Sequence, residues 1–433
     1  MSALSPLRRT GSAARGTGPA ARPRVTARLG FLLLGGIALL AGLDGALQLL
    51  GLAAPVTSER LTEVHGPLMV FGFVGTVVVL ERAVAVRRAW AYFAPGLLGS
   101  GGIALISPLP VVVGQVALVG GCAMLLAIYA EIWRKQGSVS TAVQVLGALS
   151  GLMATIFWLR GIGIPQLAPL LILYLVLTIA GERLELSRIS PTVNRRAERW
   201  MLGIGLTLIF GSVVALVWPV AGYPLLGVGM LALVGWLFRH DIATRMVRST
   251  GLPRYMACCL LAGYGWLLVV GGIWLLQGAV YSGPAYDAMM HAVFLGFVMS
   301  MIMAHAPTIL PAVLRRPLPY RPVMYLPAAL LHLSLLARVL LGDAYGFPLL
   351  VQWGGVFNIV AVLLFVGVAV VSVLRGTTVL PAAVLPGRMP PRNGAAPGVP
   401  RRPGSPAEPT ASLPASGPQT AVPPTSLLRG PLS

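Results

Sequence analysis

The chain has 433 residues, of which 56% are hydrophobic and 10% charged, with a formal net charge of +20. Soluble domains run near one-quarter charged, so a chain this apolar cannot hide its surface in water-soluble cores. Composition excludes a secreted, cytosolic or intrinsically disordered protein and leaves a polytopic membrane protein.

A helix needs about 20 apolar residues to cross the hydrocarbon. Segmenting at charges, prolines and glycine turns predicts twelve spans, over residues 29–53, 64–86, 91–107, 109–130, 141–160, 164–183, 200–218, 220–238, 255–277, 287–309, 322–341 and 348–374. The fold class is therefore all-α, a polytopic integral membrane bundle. Residues 1–28 read as a disordered basic cytoplasmic tail, 29–374 as the transmembrane domain and 375–433 as a disordered Pro/Gly/Ala-rich cytoplasmic tail. Residues 381–433 contain 14 prolines with almost no aromatic residue, and such a segment cannot bury enough to order itself. The third span is the weakest, because Gly99, Gly101 and Gly102 interrupt it and Pro108 and Pro110 close it. Cys122, Cys258 and Cys259 sit at no metal-ligand spacing.

Basic residues give an orientation. With both termini inside, 29 of the 32 Lys and Arg fall on the inner side, leaving Arg60, Arg160 and Arg338 outside. That is the bias of cytoplasmic loops. The net charge then describes sidedness against anionic lipid and gives no reason to expect nucleic acid as a partner. A bacterial-type inner (plasma) membrane, with both termini cytoplasmic, is the expected location.

Ionisable residues inside spans are costly and are functional candidates by default. Asp44 lies in the first span. His65 opens the second, and Glu81-Arg82 closes it at the inner end, where snorkelling to water is the plain reading, as for Glu182-Arg183. His240 falls in an inner loop among arginines and reads as solvated. Span 10 carries Asp287, then His291 about one turn in, then His305. His65 and His291 thus stand at similar outer depth on different helices. Two such imidazoles satisfy what a haem iron needs from its two faces; the competing reading is a pair of interfacial histidines bonded to water or carbonyls. Asp287, one turn before His291, is placed to orient its ring. His305 follows His291 by 14 residues, a rise of ~21 Å. His332 lies nearer mid-membrane and Val79 occupies the matching place on span 2, so a second haem is not expected. Arg338, towards the outer end of span 11, is placed to meet a haem propionate or Asp44, Asp287 or Asp343. Asn358 on span 12 reads as an interhelical hydrogen-bonding residue.

The run His65-Gly66-Pro67-Leu68-Met69-Val70-Phe71-Gly72 resembles the second-helix motif of haem-copper oxidase subunit I, in which a histidine-glycine pair precedes a methionine and aromatics. That family also has twelve spans with both termini inside. The resemblance implies a haem b held by His65 and His291 as iron ligands, with Met69, Asp287 and Arg338 around it, and a redox partner subunit. It covers residues 29–374, with the sharp motif in spans 2 and 10. The departures are equally informative. Met289 stands where the family's active-site haem ligand would be, and spans 6 and 7 contain no histidine for copper. An oxidase or reductase activity is therefore not carried over. The run His291-Ala292-Val293-Phe294-Leu295-Gly296-Phe297, with His305-Ala306-Pro307, is also similar to the NnrS-type membrane proteins, which are haem-associated and linked with nitrosative stress. These resemblances imply electron transfer, sensing or nitric-oxide tolerance. The rival expectation is a cofactor-free transporter or channel, with Asp44, Glu81, His305, His332 and Arg338 lining a polar pathway. A third is an assembly subunit whose polar residues serve only packing.

Overall fold

The computed structural model describes residues 25–188 and 193–376; the two expected tails lie outside these residues, apart from a few residues at their inner edges. The chain divides into a unit of residues 1–380 and a second of 381–433, the latter wholly outside the described residues. Among the described residues, twelve helices are long and apolar enough to cross a membrane: Arg28–Leu49, Glu59–Val86, Ala89–Ile106, Val111–Lys135, Val139–Leu159, Ile164–Ser187, Arg195–Val217, Pro219–His240, Gly251–Leu276, Gly283–Leu314, Pro322–Ala344 and Pro348–Arg375, numbered spans 1 to 12 in that order. The weak third span is present, its first turn a 3₁₀ helix over Ala89–Tyr92.

Boundaries moved where polar helix turns project beyond the apolar stretch. The first helix begins at Val25, inside the expected N-terminal tail. Span 2 starts at Glu59, so His65 stands seven residues into its helix and does not open it. Span 10 runs from Gly283 to Leu314, straight through Pro307 and Pro311 and past its expected end at residue 309. Membrane helices tolerate such prolines when neighbouring groups satisfy the freed carbonyls.

Consecutive spans pack as antiparallel hairpins, with spans 5–6, 11–12 and 3–4 in most extensive contact. Hydrophobic driving force is weak between helices in lipid, so close approach relies on small residues. Gly147 and Gly151 of span 5 show this: a Cβ on Gly147 would stand 2.7 Å from the Thr178 backbone nitrogen of span 6, and one on Gly151 would stand 2.8 Å from the Tyr174 ring. Span 6 is the most enclosed, with an unbroken buried run from Leu167 to Gly181. Span 12 is the least enclosed. Span 1 meets spans 2, 10 and 12, span 10 meets spans 2 and 11, and span 11 meets span 12.

Arg60, one of the three outlying basic residues, closes a helix end. Its Nε donates to Leu105 O at 2.7 Å and its Nη2 to Leu109 O, covering carbonyls left free where span 3 stops. Asp44 does similar local work. It accepts from Gln48 Nε2 and from the Val56 amide, both at 3.1 Å, and so holds the loop between spans 1 and 2. It bonds to no ionisable side chain among the described residues.

Candidate functional site

Three stretches of π-helix occur among the described residues: Leu68–Gly75, Ala292–Met299 and Ala337–Ala344. One follows His65 by three residues, one begins directly after His291, and one contains Arg338. A π turn holds an extra residue, which rotates everything beyond it about the helix axis, and such turns gather at functional sites. Spans 2, 10 and 11 each carry this distortion at the same end of the bundle, beside the polar residue that the sequence singled out.

His65 and His291 are held alike. His65 Nδ1 donates to Gly42 O of span 1 at 2.9 Å. Met69 lies directly over Gly42, so that a Cβ at Gly42 would meet its sulfur. Met69 therefore packs on the backbone that orients the ring. His291 Nδ1 donates to Asp287 O at 2.8 Å and lies 3.2 Å from Asp287 Oδ1. A carbonyl can only accept, so the proton of each neutral ring is on Nδ1 and the lone pair is on Nε2. Neither Nε2 has a hydrogen-bond partner among the described residues. His65 lies within electrostatic reach of His291, Asp287 and Arg338.

Arg338 selects Asp287 from its three candidate partners. Its Nε and Nη2 donate to Asp287 Oδ2 and Oδ1, each at 2.9 Å, a bidentate fork. The guanidinium lies on span 12 where Gly354 and Gly355 leave room: a Cβ on Gly355 would be 2.8 Å from Nη1. Asp343 lies against Asp287 and Arg338, and its buried Oδ2 has no partner among the described residues. Arg338, Asp287 and His291 thus form one connected chain, in which the carboxylate that steadies the imidazole is itself fixed by a buried guanidinium.

His332 does not belong to this group. Trp266 Nε1, which only donates, bonds its Nδ1 at 3.0 Å, and its Nε2 meets Ser300 Oγ at 3.2 Å, which in turn donates to Gly296 O at 2.6 Å. Both ring nitrogens are occupied, and the ring ties spans 9, 10 and 11 together. His332→Leu is expected to cost about 1–3 kcal/mol by leaving the indole N–H and the Ser300 hydroxyl short of a partner. Thermal unfolding in detergent reads that loss, and a variant as stable as the parent would contradict it.

A second polar cluster lies at the opposite, arginine-rich end. His305 Nδ1 donates to Met301 O at 2.8 Å, and Arg183 Nη1 approaches its Nε2 at 3.3 Å. Arg183 forks onto Asp241 at 2.7 and 2.8 Å, Tyr264 Oη donates to Asp241 Oδ2 at 2.8 Å, and the Ala243 amide donates to Oδ1 at 2.7 Å. The Arg183 and Asp241 side chains are 3% and 0% exposed, so Arg183 does not snorkel to water as expected. Asp241 was not among the sequence candidates. Its only signal is an acid set among arginines at the end of span 8. Arg82 bridges Glu182 at 2.5 Å and Glu81 at 3.4 Å. His240, read as solvated, is partly buried with its ring centroid 5.0 Å from that of Trp236.

Of the five residues expected to line a polar pathway, the structure brings together Glu81 and His305, while Arg338 is bound to Asp287 at the other end. Glu81 and His305 line a cavity of about 420 Å³ between spans 1, 2, 6, 10 and 12. Asp44 and His332 are engaged elsewhere, and neither His65 nor His291 lines this cavity. Asn358 meets Ser334 Oγ at 2.7 Å, the interhelical contact expected of it.

Twelve apolar spans around two buried polar clusters define a multi-pass membrane protein. Residues 28–374 match the family described as "Domain of unknown function (DUF8744)", and the chain belongs to that family. No curated protein and no solved structure matches the chain.

Proposed function

We propose that this protein holds one b-type haem between His65 and His291 and passes single electrons in the membrane. The observation that supports this reading is the matched pair of imidazoles, each with Nδ1 tied to a backbone carbonyl and Nε2 unbonded to any described residue. A hydrogen bond at Nδ1 fixes the tautomer and raises the basicity of the other nitrogen, which suits a metal ligand. Asp287 would hold the His291 ring in register, and Met69 would hold the segment of span 1 on which His65 rests. Arg338 keeps Nη1 free of hydrogen bonds to the described residues while Nε and Nη2 hold Asp287. That nitrogen is the donor this chain offers a propionate.

A haem bound through two histidines supplies one-electron redox chemistry and leaves no open iron position. The residues therefore favour electron transfer over gas binding. We place the chain as a relative of haem-copper oxidase subunit I without the copper site, working with a redox partner subunit. The same reading puts both termini in the cytoplasm of a bacterial-type inner membrane, on the strength of 29 inner Lys and Arg out of 32. Haem quantified as its pyridine complex in purified protein from haem-replete cells is expected at one per chain. A content near zero would overturn the proposal.

A further inference from the structure

The cavity of about 420 Å³ at the arginine-rich end is large enough for a small organic molecule. Its wall is aliphatic and aromatic over most of its length, from Phe73 and Val298 at one end to Leu314 at the other. Three polar side chains interrupt that wall, Glu81, Glu182 and His305. The two carboxylates are acceptors, whereas both ring nitrogens of His305 are already engaged. Met301 O takes the Nδ1 proton of His305, and Arg183 occupies the side of its Nε2, so the ring is neutral and donates nothing further.

The two carboxylates share a single guanidinium, that of Arg82, which does not line the cavity. Arg183 does not line it either and is matched by Asp241. Two negative groups against one positive leave one negative charge facing an apolar space within the membrane. Such a charge is expensive unless a cation or a proton meets it. An aliphatic chain lowers the cost of filling the rest of the cavity.

We propose that this cavity binds an elongated lipophilic amine, with its ammonium N–H groups on Glu81 and Glu182 and its chain along Phe73, Ile302 and Val298. This site is separate from the two histidines that would hold haem, and its failure would leave the haem reading untouched. The chemistry required is a positive head that donates hydrogen bonds and a single apolar body.

Binding of decylamine and of decanol to the purified full-length protein in detergent tests this. Decylamine is expected to bind at one site about tenfold or more tighter than decanol, as a close charge pair provides. The double variant Glu81→Gln, Glu182→Gln is expected to lose that preference while still binding both weakly. Gly36→Phe is expected to abolish binding of both with little change in melting temperature, because Gly36 lines the cavity and a Cβ there meets nothing within 4 Å. Equal affinity for amine and alcohol would overturn the proposal. So would an amine preference that survives the double variant, or binding unchanged in Gly36→Phe.

Discussion

Asp241→Ala is expected to destabilise the protein by about 3–5 kcal/mol, the cost of leaving a buried charge without its partner. Arg183 would lose both arms of its fork in a place where its side chain is 3% exposed. Tyr264 Oη and the Ala243 amide would lose their acceptor as well. The same physics sets the expected rescue. Removing both charges, as in Arg183→Met with Asp241→Leu, is expected to recover most of the loss, since a buried ion pair is often no better than apolar groups of similar volume. Denaturant unfolding of the single and double variants in detergent checks both statements. A single variant as stable as the parent would show that water reaches the pair, contrary to the burial described above.

The second large effect concerns the histidine pair. His291→Ala is expected to abolish stable haem retention, because a single imidazole would remain. Asp287→Asn keeps the backbone carbonyl that binds Nδ1 but breaks the fork to Arg338, and is expected to weaken haem binding about 10–100-fold, the usual effect of a partner lying behind a metal ligand. Haem titration into apoprotein separates these grades. Equal affinity in the parent and in Asp287→Asn would mean that the carboxylate serves only to pack Arg338.

The twelve spans were legible because length and apolarity alone mark a membrane helix; the start of span 2 moved because hydropathy discards the polar turn Glu59–Glu63, whereas span 10 runs on through the apolar residues 310–314 beyond its expected end. Depth was legible for the same reason: a rise of 1.5 Å per residue from a known end places His65 and His291 together. Rotation about each helix axis was not. In lipid both the buried and the exposed faces are apolar, so no moment in the sequence says which way a side chain points. Asp44, Asp287 and Asp343 were equal candidates for Arg338, and only packing of spans 10 and 11 selects Asp287. The three π segments, each of which rotates part of a span, add turns of phase that no ideal periodicity contains.

His332 and Arg183 illustrate the other limit. Both look functional or exposed from depth alone, yet each is absorbed by neighbours distant in sequence: Trp266 and Ser300 for one, Asp241 for the other. A buried polar group in a membrane is a question about its partner, and partners 32 to 66 residues away carry no local signal. The glycines at 354 and 355 are similar. They read as ordinary span residues until the Arg338 guanidinium is found lying on them.

The reduced-minus-oxidised absorption spectrum of the purified protein tests the central claim most directly. The sharp α and β bands of a low-spin, bis-histidine b-type haem are expected in the parent, and their loss in His65→Ala with His291→Ala. A parent protein made in haem-replete cells that shows no haem bands, or bands unchanged in the double variant, would contradict the account.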